Sequence, residues 1–217
     1  MVSDAPIRPA HVHKPFVLGK CDYFVDVQLW PRQAHVDPER WLANFQPAEM
    51  EYAVHLLNAF LYFSADLVNE MFKAAFQRLS SETVSRDGPY VQAQARWQQF
   101  RRNVIVTYVT GETPSETDSG YAFARKARQQ LGISEENILA PARVLQALIN
   151  DGPRPVVFVD DFVGSGDQFV TTWRREMELA DSNWTSFDQF STVRGAEFHY
   201  CPVICAEMGK RVIQENC

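Results

Sequence analysis

The chain has 217 residues, 46% hydrophobic and 22% charged, with a formal net charge of −6. This is ordinary globular composition for one large domain, or a domain with a small extension, and the acidic balance speaks against a general nucleic-acid binder. No apolar run approaches the roughly 20 residues of a membrane-spanning helix, and the start Met1-Val2-Ser3-Asp4-Ala5-Pro6 lacks a signal peptide's apolar centre, so a cytoplasmic location without membrane attachment is expected.

Residues 1–36 are rich in proline, histidine and charge and are expected to be irregular, with Tyr23–Val27 as a short apolar piece docking on the body. At Asp37-Pro38 the pattern turns helical: a carboxylate to accept an orphan N–H, then proline at the first helical position. A second start is expected at Pro47. Ala53, Leu56, Leu57, Phe60, Phe63, Leu67, Met71 and Phe76 then recur at helical spacing, which predicts the buried face of a bundle. Ser64 is placed to cap a second helix within this run. A polar stretch with Gly88-Pro89 precedes one more helix, about Tyr90 to Arg101. Its Arg96, Arg101 and Arg102 can meet a phosphate or complement a helix C-terminus and water. Residues 37–102 are thus read as a helical N-terminal domain.

From residue 103 onward strands and helices alternate. Val104–Val109 is β-branched and aromatic, a strand. A polar loop follows over 110–117, then a helix from Ser119 to Leu131 with Asp118 as its cap and Gly132 to end it. Pro141 opens a helix through Ile149, and Asn150-Asp151-Gly152-Pro153 breaks it. A strand is expected over 155–160, a helix from Asp167 to about Ala180, a loose polar stretch over 181–196, a third strand near Phe198–Ala206 and a final helix. The alternation predicts a mostly parallel α/β sheet over 103–217. Three strands are few, and the chain stops directly after a helix, so either a natural C-terminal part is expected beyond it or the sheet is unusually small. Cys21, Cys201, Cys205 and Cys217 form no disulfide framework or zinc spacing; Cys201 and Cys205, on one face of a strand, are read as small core residues. His11 and His13 carry no ligand spacing.

The informative stretch is Val156-Val157-Phe158-Val159-Asp160-Asp161-Phe162-Val163-Gly164-Ser165-Gly166-Asp167-Gln168. A buried strand drives into two carboxylates, and a short glycine loop opens a helix. Open parallel sheets bind ligands at such an end. Loop and helix N–H groups can hold a phosphate, and the aspartates can hold a divalent cation or a pair of sugar hydroxyls. A nucleoside-triphosphate hydrolase would need a glycine loop ending in Gly-Lys-Ser or Gly-Lys-Thr. The Gly-Lys pairs present are Gly19-Lys20-Cys21 and Gly209-Lys210-Arg211. A receiver domain would carry its acidic pair near the domain start, with a later Asp and Lys at strand ends that the residues after Asp161 do not offer.

Four apolar residues, two acids, a short loop, Ser165 and Gly166 resemble the phosphoribosyl-diphosphate motif of type I phosphoribosyltransferases. Together with Val109-Thr110-Gly111-Glu112-Thr113-Pro114-Ser115-Glu116-Thr117-Asp118-Ser119-Gly120, the motif looks like that of phosphoribosyltransferase-like proteins associated with bacterial conflict (anti-phage defence) systems. In that family a helical part, here including Trp41–Phe45, precedes the core, and members are typically longer than this chain.

The resemblance implies a type I phosphoribosyltransferase-like parallel sheet, incomplete at its C-terminus, behind the helical domain. Asp160 and Asp161 would act at the ribose hydroxyls and at Mg²⁺, directly or through the ligand. Val163, Gly164, Ser165, Gly166, Asp167 and Gln168 would wrap the 5′-phosphate. Gly111, Glu112, Ser119 and Arg125 would form a second wall near the diphosphate. If active, the protein would transfer or hydrolyse at ribose C1, a glycosyltransferase-class reaction; the acceptor is not legible. The sequence departs from the wider pattern at Gln168, where Ser or Thr would add a hydroxyl donor. It also places a carboxylate, Asp167, beside the expected anion, where it serves more simply as the cap of the following helix. That departure keeps a second reading open: an inactive nucleotide or phosphoribosyl-diphosphate sensor acting through a protein partner.

Overall fold

The computed structural model describes residues 12–31, 35–83, 89–111, 119–180, 182–192 and 196–217. The chain divides into two compact units, Met1–Val68 and Asn69–Cys217. The division falls inside a helix, so the helices of 69–103 belong with the sheet, whereas the sequence pattern groups them with the N-terminal helices.

The first unit contains α1 (Lys14–Asp26), α2 (Pro38–Leu42) and α3 (Met50–Ala59). Helix α1 lies where irregular structure was expected. Its proline, Pro15, occupies the first turn, where a missing N–H costs nothing. Val17, Cys21, Trp30, Leu42, Ala53, Val54 and Leu57 form the core of this unit. Asp37 caps α2 as its spacing predicts, its Oδ1 accepting the Arg40 N–H at 2.9 Å. Helix α3 begins at Met50, three residues beyond the expected start at Pro47, because Pro47–Glu49 form a turn. The apolar stripe is only partly buried. Leu56, Phe60 and Leu67 are exposed, and Leu56 and Phe60 line a groove of about 580 Å³ with Val36, Pro38 and Trp41. The break at 60–64 divides the stripe between two helices, so one continuous face never forms. As expected, Ser64 Oγ accepts the Leu67 N–H (3.2 Å) at the start of α4 (Ala65–Arg78).

The second unit continues through α5 (Ser80–Thr83), α6 (Tyr90–Asn103), β1 (Ile105–Tyr108), α7 (Ser119–Leu131), α8 (Pro141–Asp151), β2 (Pro155–Val163), α9 (Asp167–Arg174), β3 (Met177–Glu178), β4 (Trp184–Thr185), α10 (Phe187–Ser191), β5 (Glu197–Cys205) and α11 (Glu207–Asn216). Strands β1, β2 and β5 form a parallel sheet in that order, with β2 central. Ile138 bridges Val106 in parallel. Because β2 already occupies the other side of β1, this bridge lies on β1's outer edge. The chain therefore steps outward from β1 to Ile138 and then back across to β2.

Helices cover both sheet faces. Phe158 packs with Phe169, Trp173 and Phe187, beside Val144, Leu145 and Leu148 of α8. The opposite face carries α7, whose Tyr121 meets Tyr108, and α6, whose Phe100 meets His199. Phe187, fully buried, lies in the stretch expected to be loose and polar. Two aromatic residues per short helix are enough to anchor it. Helix α9 ends at Arg174, well before Ala180, and β3 pairs antiparallel with β4 in the space beyond. Cys201 is buried, and burial pushes its thiol up to about 12, so it is an inert core residue. Cys205 is exposed at the strand end, contrary to the core reading. Among the described residues no helix is long and apolar enough to cross a membrane.

Candidate functional site

The step out to Ile138 and back creates a topological switch between β1 and β2, with α7 and α8 on opposite faces. Ligands in open α/β sheets bind outside the carboxyl ends of the strands at such a point. The acid pair and glycine loop stand there.

Strand β2 runs three residues further than the sequence pattern suggests: Phe162 and Val163 still pair with Ile204 and Cys205. Both aspartates are therefore strand residues, and neighbouring strand residues face opposite sides of a sheet. Asp160 lies on the face of Phe158, only 4% exposed. Its Oδ2 accepts the Tyr200 hydroxyl at 2.8 Å and its Oδ1 accepts the Asp161 N–H at 3.0 Å. Burial raises its pKa to about 6, the Tyr200 hydrogen bond counteracts part of that rise, and the neighbouring Asp161 adds to it. The same burial, followed by the Asp160 carboxylate, raises the Tyr200 hydroxyl well above its ordinary value. Asp161 is half-buried on the α7 face, its Oδ1 accepting the Phe162 N–H at 2.8 Å.

The loop is short and fixed by glycine. Gly166, at φ +90°, is the N-cap of α9, so Asp167 is the first helical residue and not the cap that the sequence suggests; its side chain caps nothing. The Asp167 N–H donates instead to Ser165 Oγ at 3.4 Å. That bond uses the oxygen as acceptor and leaves the Ser165 hydroxyl able to donate. Gly164 does not have positive φ, and a Cβ there would meet the Phe162 ring edge at 3.3 Å. A Cβ on Gly209 would press on the Gly164 carbonyl oxygen, and a Cβ on Gly166 would stand 2.7 Å from the Gly209 oxygen. Helix α11 thus seats directly on the loop, backbone on backbone, and the Ala206 N–H donates to the Val163 carbonyl at 2.8 Å. Val163 is buried beneath the loop, while Ser165, Asp167 and Gln168 are exposed.

The second wall is held from α9. Arg175 donates through Nη1 to Thr110 Oγ1 (2.7 Å) and through Nη2 to the Gly111 carbonyl (2.6 Å). Thr172 Oγ1 accepts the Thr110 N–H at 3.2 Å. Gly111 is therefore engaged through its carbonyl. Helix α7 starts at Ser119, and Gly120 lies so close to β1 that a Cβ there would stand 2.8 Å from the Val109 oxygen. Glu112 and Asp118 lie outside the described residues. Arg125 is exposed on α7, away from its buried residues Phe123, Ala124 and Ala127. The structure thus brings Asp160, Asp161, the 163–168 loop, Gly111 and the start of α7 to one edge, and leaves Arg125 on an outer helical face. Among the described residues no group of three or more His, Cys, Asp or Glu side chains could hold a metal ion.

Tyr200, Thr172, Arg175 and Gly209 escape the sequence reading. Tyr200 had a signal: it sits within the third strand, on which a parallel partner of β2 would bring an aromatic hydroxyl beside the acids. Arg101, of the arginine cluster, donates to the Leu131 carbonyl at the end of α7, the helix-terminus role. Arg96 lines a separate cavity of about 410 Å³ that includes Pro155 and Glu197, the first residues of β2 and β5, at the edge opposite the acid pair.

The PRTase-CE family model matches residues 38–217. No curated protein and no solved structure matches the chain.

Proposed function

The chain belongs to the PRTase-CE family, and from that premise we propose that its sheet edge binds phosphoribosyl diphosphate, or a nucleotide, as a Mg²⁺ complex. The observation that carries this is the arrangement at the switch point: an acid pair on the central strand, then Gly-Ser-Gly, then the N-terminus of α9. Loop amides and the Ser165 hydroxyl supply donors to a 5′-phosphate. The Asp161 carboxylate supplies acceptors for ribose hydroxyls. Phe162, 56% exposed at the same edge, offers a flat apolar surface to a base.

Mg²⁺ commonly takes one or two carboxylates and completes its shell with substrate phosphates and water. Asp161, half-buried on the α7 face, fits that part, whereas Asp160 is buried with both oxygens accepting protein hydrogen bonds. When bound, the ion would draw charge from a departing diphosphate. The chain's own contribution is to orient the ribose on Asp161 and to hold the 5′-phosphate against the loop, so that C1 is presented in a fixed place. Transfer or hydrolysis at C1 follows on this reading, in the cytoplasm and in the setting of a defence system.

A sensor that binds without turnover, acting through a protein partner, is the second reading. Gln168 and Asp167, both exposed at the loop's end, favour it, because neither adds a hydroxyl donor to the phosphate and one carries like charge. Calorimetric titration with phosphoribosyl diphosphate and Mg²⁺, followed by an assay for released pyrophosphate, separates the two. Binding with release supports the transferase, and binding without release the sensor. Absence of binding removes both.

A further inference from the structure

The two aspartates, adjacent in sequence, are built into different surroundings, and Tyr200 is what separates them. Its hydroxyl donates to Asp160 Oδ2, and its ring stacks on Phe169 with centroids 4.1 Å apart and planes 19° from parallel. Phe169 is the third residue of α9, directly after the glycine loop. Asp160 Oδ1 takes the backbone N–H of Asp161. One chain of contacts therefore runs from the first turn of α9 through Tyr200 and Asp160 to the backbone of Asp161. We infer that Tyr200 is a positioning residue: through Asp160 it fixes the backbone that presents Asp161, and Asp161 alone of the pair reads the ligand's hydroxyls and cation.

This rests on the ligand reading above, but it divides the pair's labour in a way that reading does not require. Asp160 faces Phe158, Phe169 and Tyr200 and is almost wholly out of solvent. The titratable groups that act on it are Tyr200, from β5, and Asp161, its neighbour on β2. Cys205, at the end of β5, acts on Tyr200 in turn. A carboxylate so placed is a buried anchor. Its replacement by an amide keeps the one remaining oxygen for the Asp161 N–H and turns the NH2 to the Tyr200 oxygen, whereas loss of the Tyr200 hydroxyl leaves a buried carboxylate without a side-chain donor.

The test compares Asp160→Asn, Asp161→Asn and Tyr200→Phe in the full chain, with two readouts. Affinity for phosphoribosyl diphosphate with Mg²⁺ is measured by calorimetry and stability by denaturant unfolding, each also in the double variant Asp160→Asn/Tyr200→Phe. Asp161→Asn is expected to weaken binding by about tenfold to a hundredfold, the range of a lost charge-assisted hydrogen bond. Asp160→Asn is expected to weaken binding by less than Asp161→Asn does, because it alters the support and not the contact. Tyr200→Phe is expected to weaken binding in the wild-type chain and by less in the Asp160→Asn chain, because residues acting in series are not additive, whereas general loosening would add in full. Equal losses in the two aspartate variants, or additive losses in the double variant, would overturn the inference. If the wild-type chain binds no phosphoribosyl diphosphate, the ligand reading fails; the same cycle in denaturant unfolding still decides whether Tyr200 acts through Asp160.

Discussion

Residues 156–159 of β2 are four consecutive side chains with no exposure at all. Val157 and Val159 face α7; Val156 and Phe158 face the aromatic cluster of α9 and α10. Residues 160–166 continue the same strand into its loop with a buried carboxylate, a half-buried one, an exposed phenyl ring and two glycines. The first half is stabilised by apolar burial on both faces, as a central parallel strand should be. The second half works against burial, keeping a carboxylate in a dry place and a helix seated so close to the loop that neither Gly166 nor Gly209 has room for a Cβ. Apolar burial is concentrated where the strand is uniform, and costly features cluster at the sheet edge proposed above for the ligand.

Substitutions should affect the two halves of the strand differently. Phe158→Ala, in the uniform half, should have the largest effect, a loss of about 3–5 kcal/mol in denaturant unfolding. Gly209→Ala should come next, at about 1–3 kcal/mol, because the methyl group meets the Gly164 backbone and the buried Val163 side chain. Unlike Phe158→Ala, it should also weaken ligand binding in chains that remain folded, since it displaces the loop itself. Asp160→Asn should go the other way. The folded chain holds the Asp160 proton up to about pH 6, while the unfolded chain releases it near 3.8. The folded state is therefore penalised progressively as pH rises from about 4 through 6, and fully above that. The amide removes that penalty, so the variant should be more stable than wild type by on the order of 1–3 kcal/mol above pH 7 and equal to it below about pH 4. Thermal unfolding across that range checks the sign. Ser165→Ala should be smallest in stability, within about 0.5 kcal/mol as for an exposed side chain, yet should still reduce ligand affinity.

The sequence made the α/β alternation legible because apolar runs and capping residues are local signals: Asp37, Ser64 and Gly132 all act where their spacing says. The acid pair and its glycine loop were legible for the same reason. What stayed hidden is long-range. The pleat that turns Asp160 and Asp161 to opposite faces depends on β2 continuing to Val163, which pairing with β5 decides. The clasp from Tyr200 and the seat of Gly209 on the loop join residues about 40 positions apart, and no periodicity announces them. Helix α1 was missed because prolines and charges in its neighbourhood read as irregular, although Pro15 sits where a helix accepts it.

The most direct test of the account is calorimetric titration of phosphoribosyl diphosphate with Mg²⁺ into wild-type protein and Asp161→Asn, side by side. The account predicts saturable binding to the wild-type chain that weakens by at least about tenfold in the variant. No binding to the wild-type chain, or equal affinity in both, would contradict it.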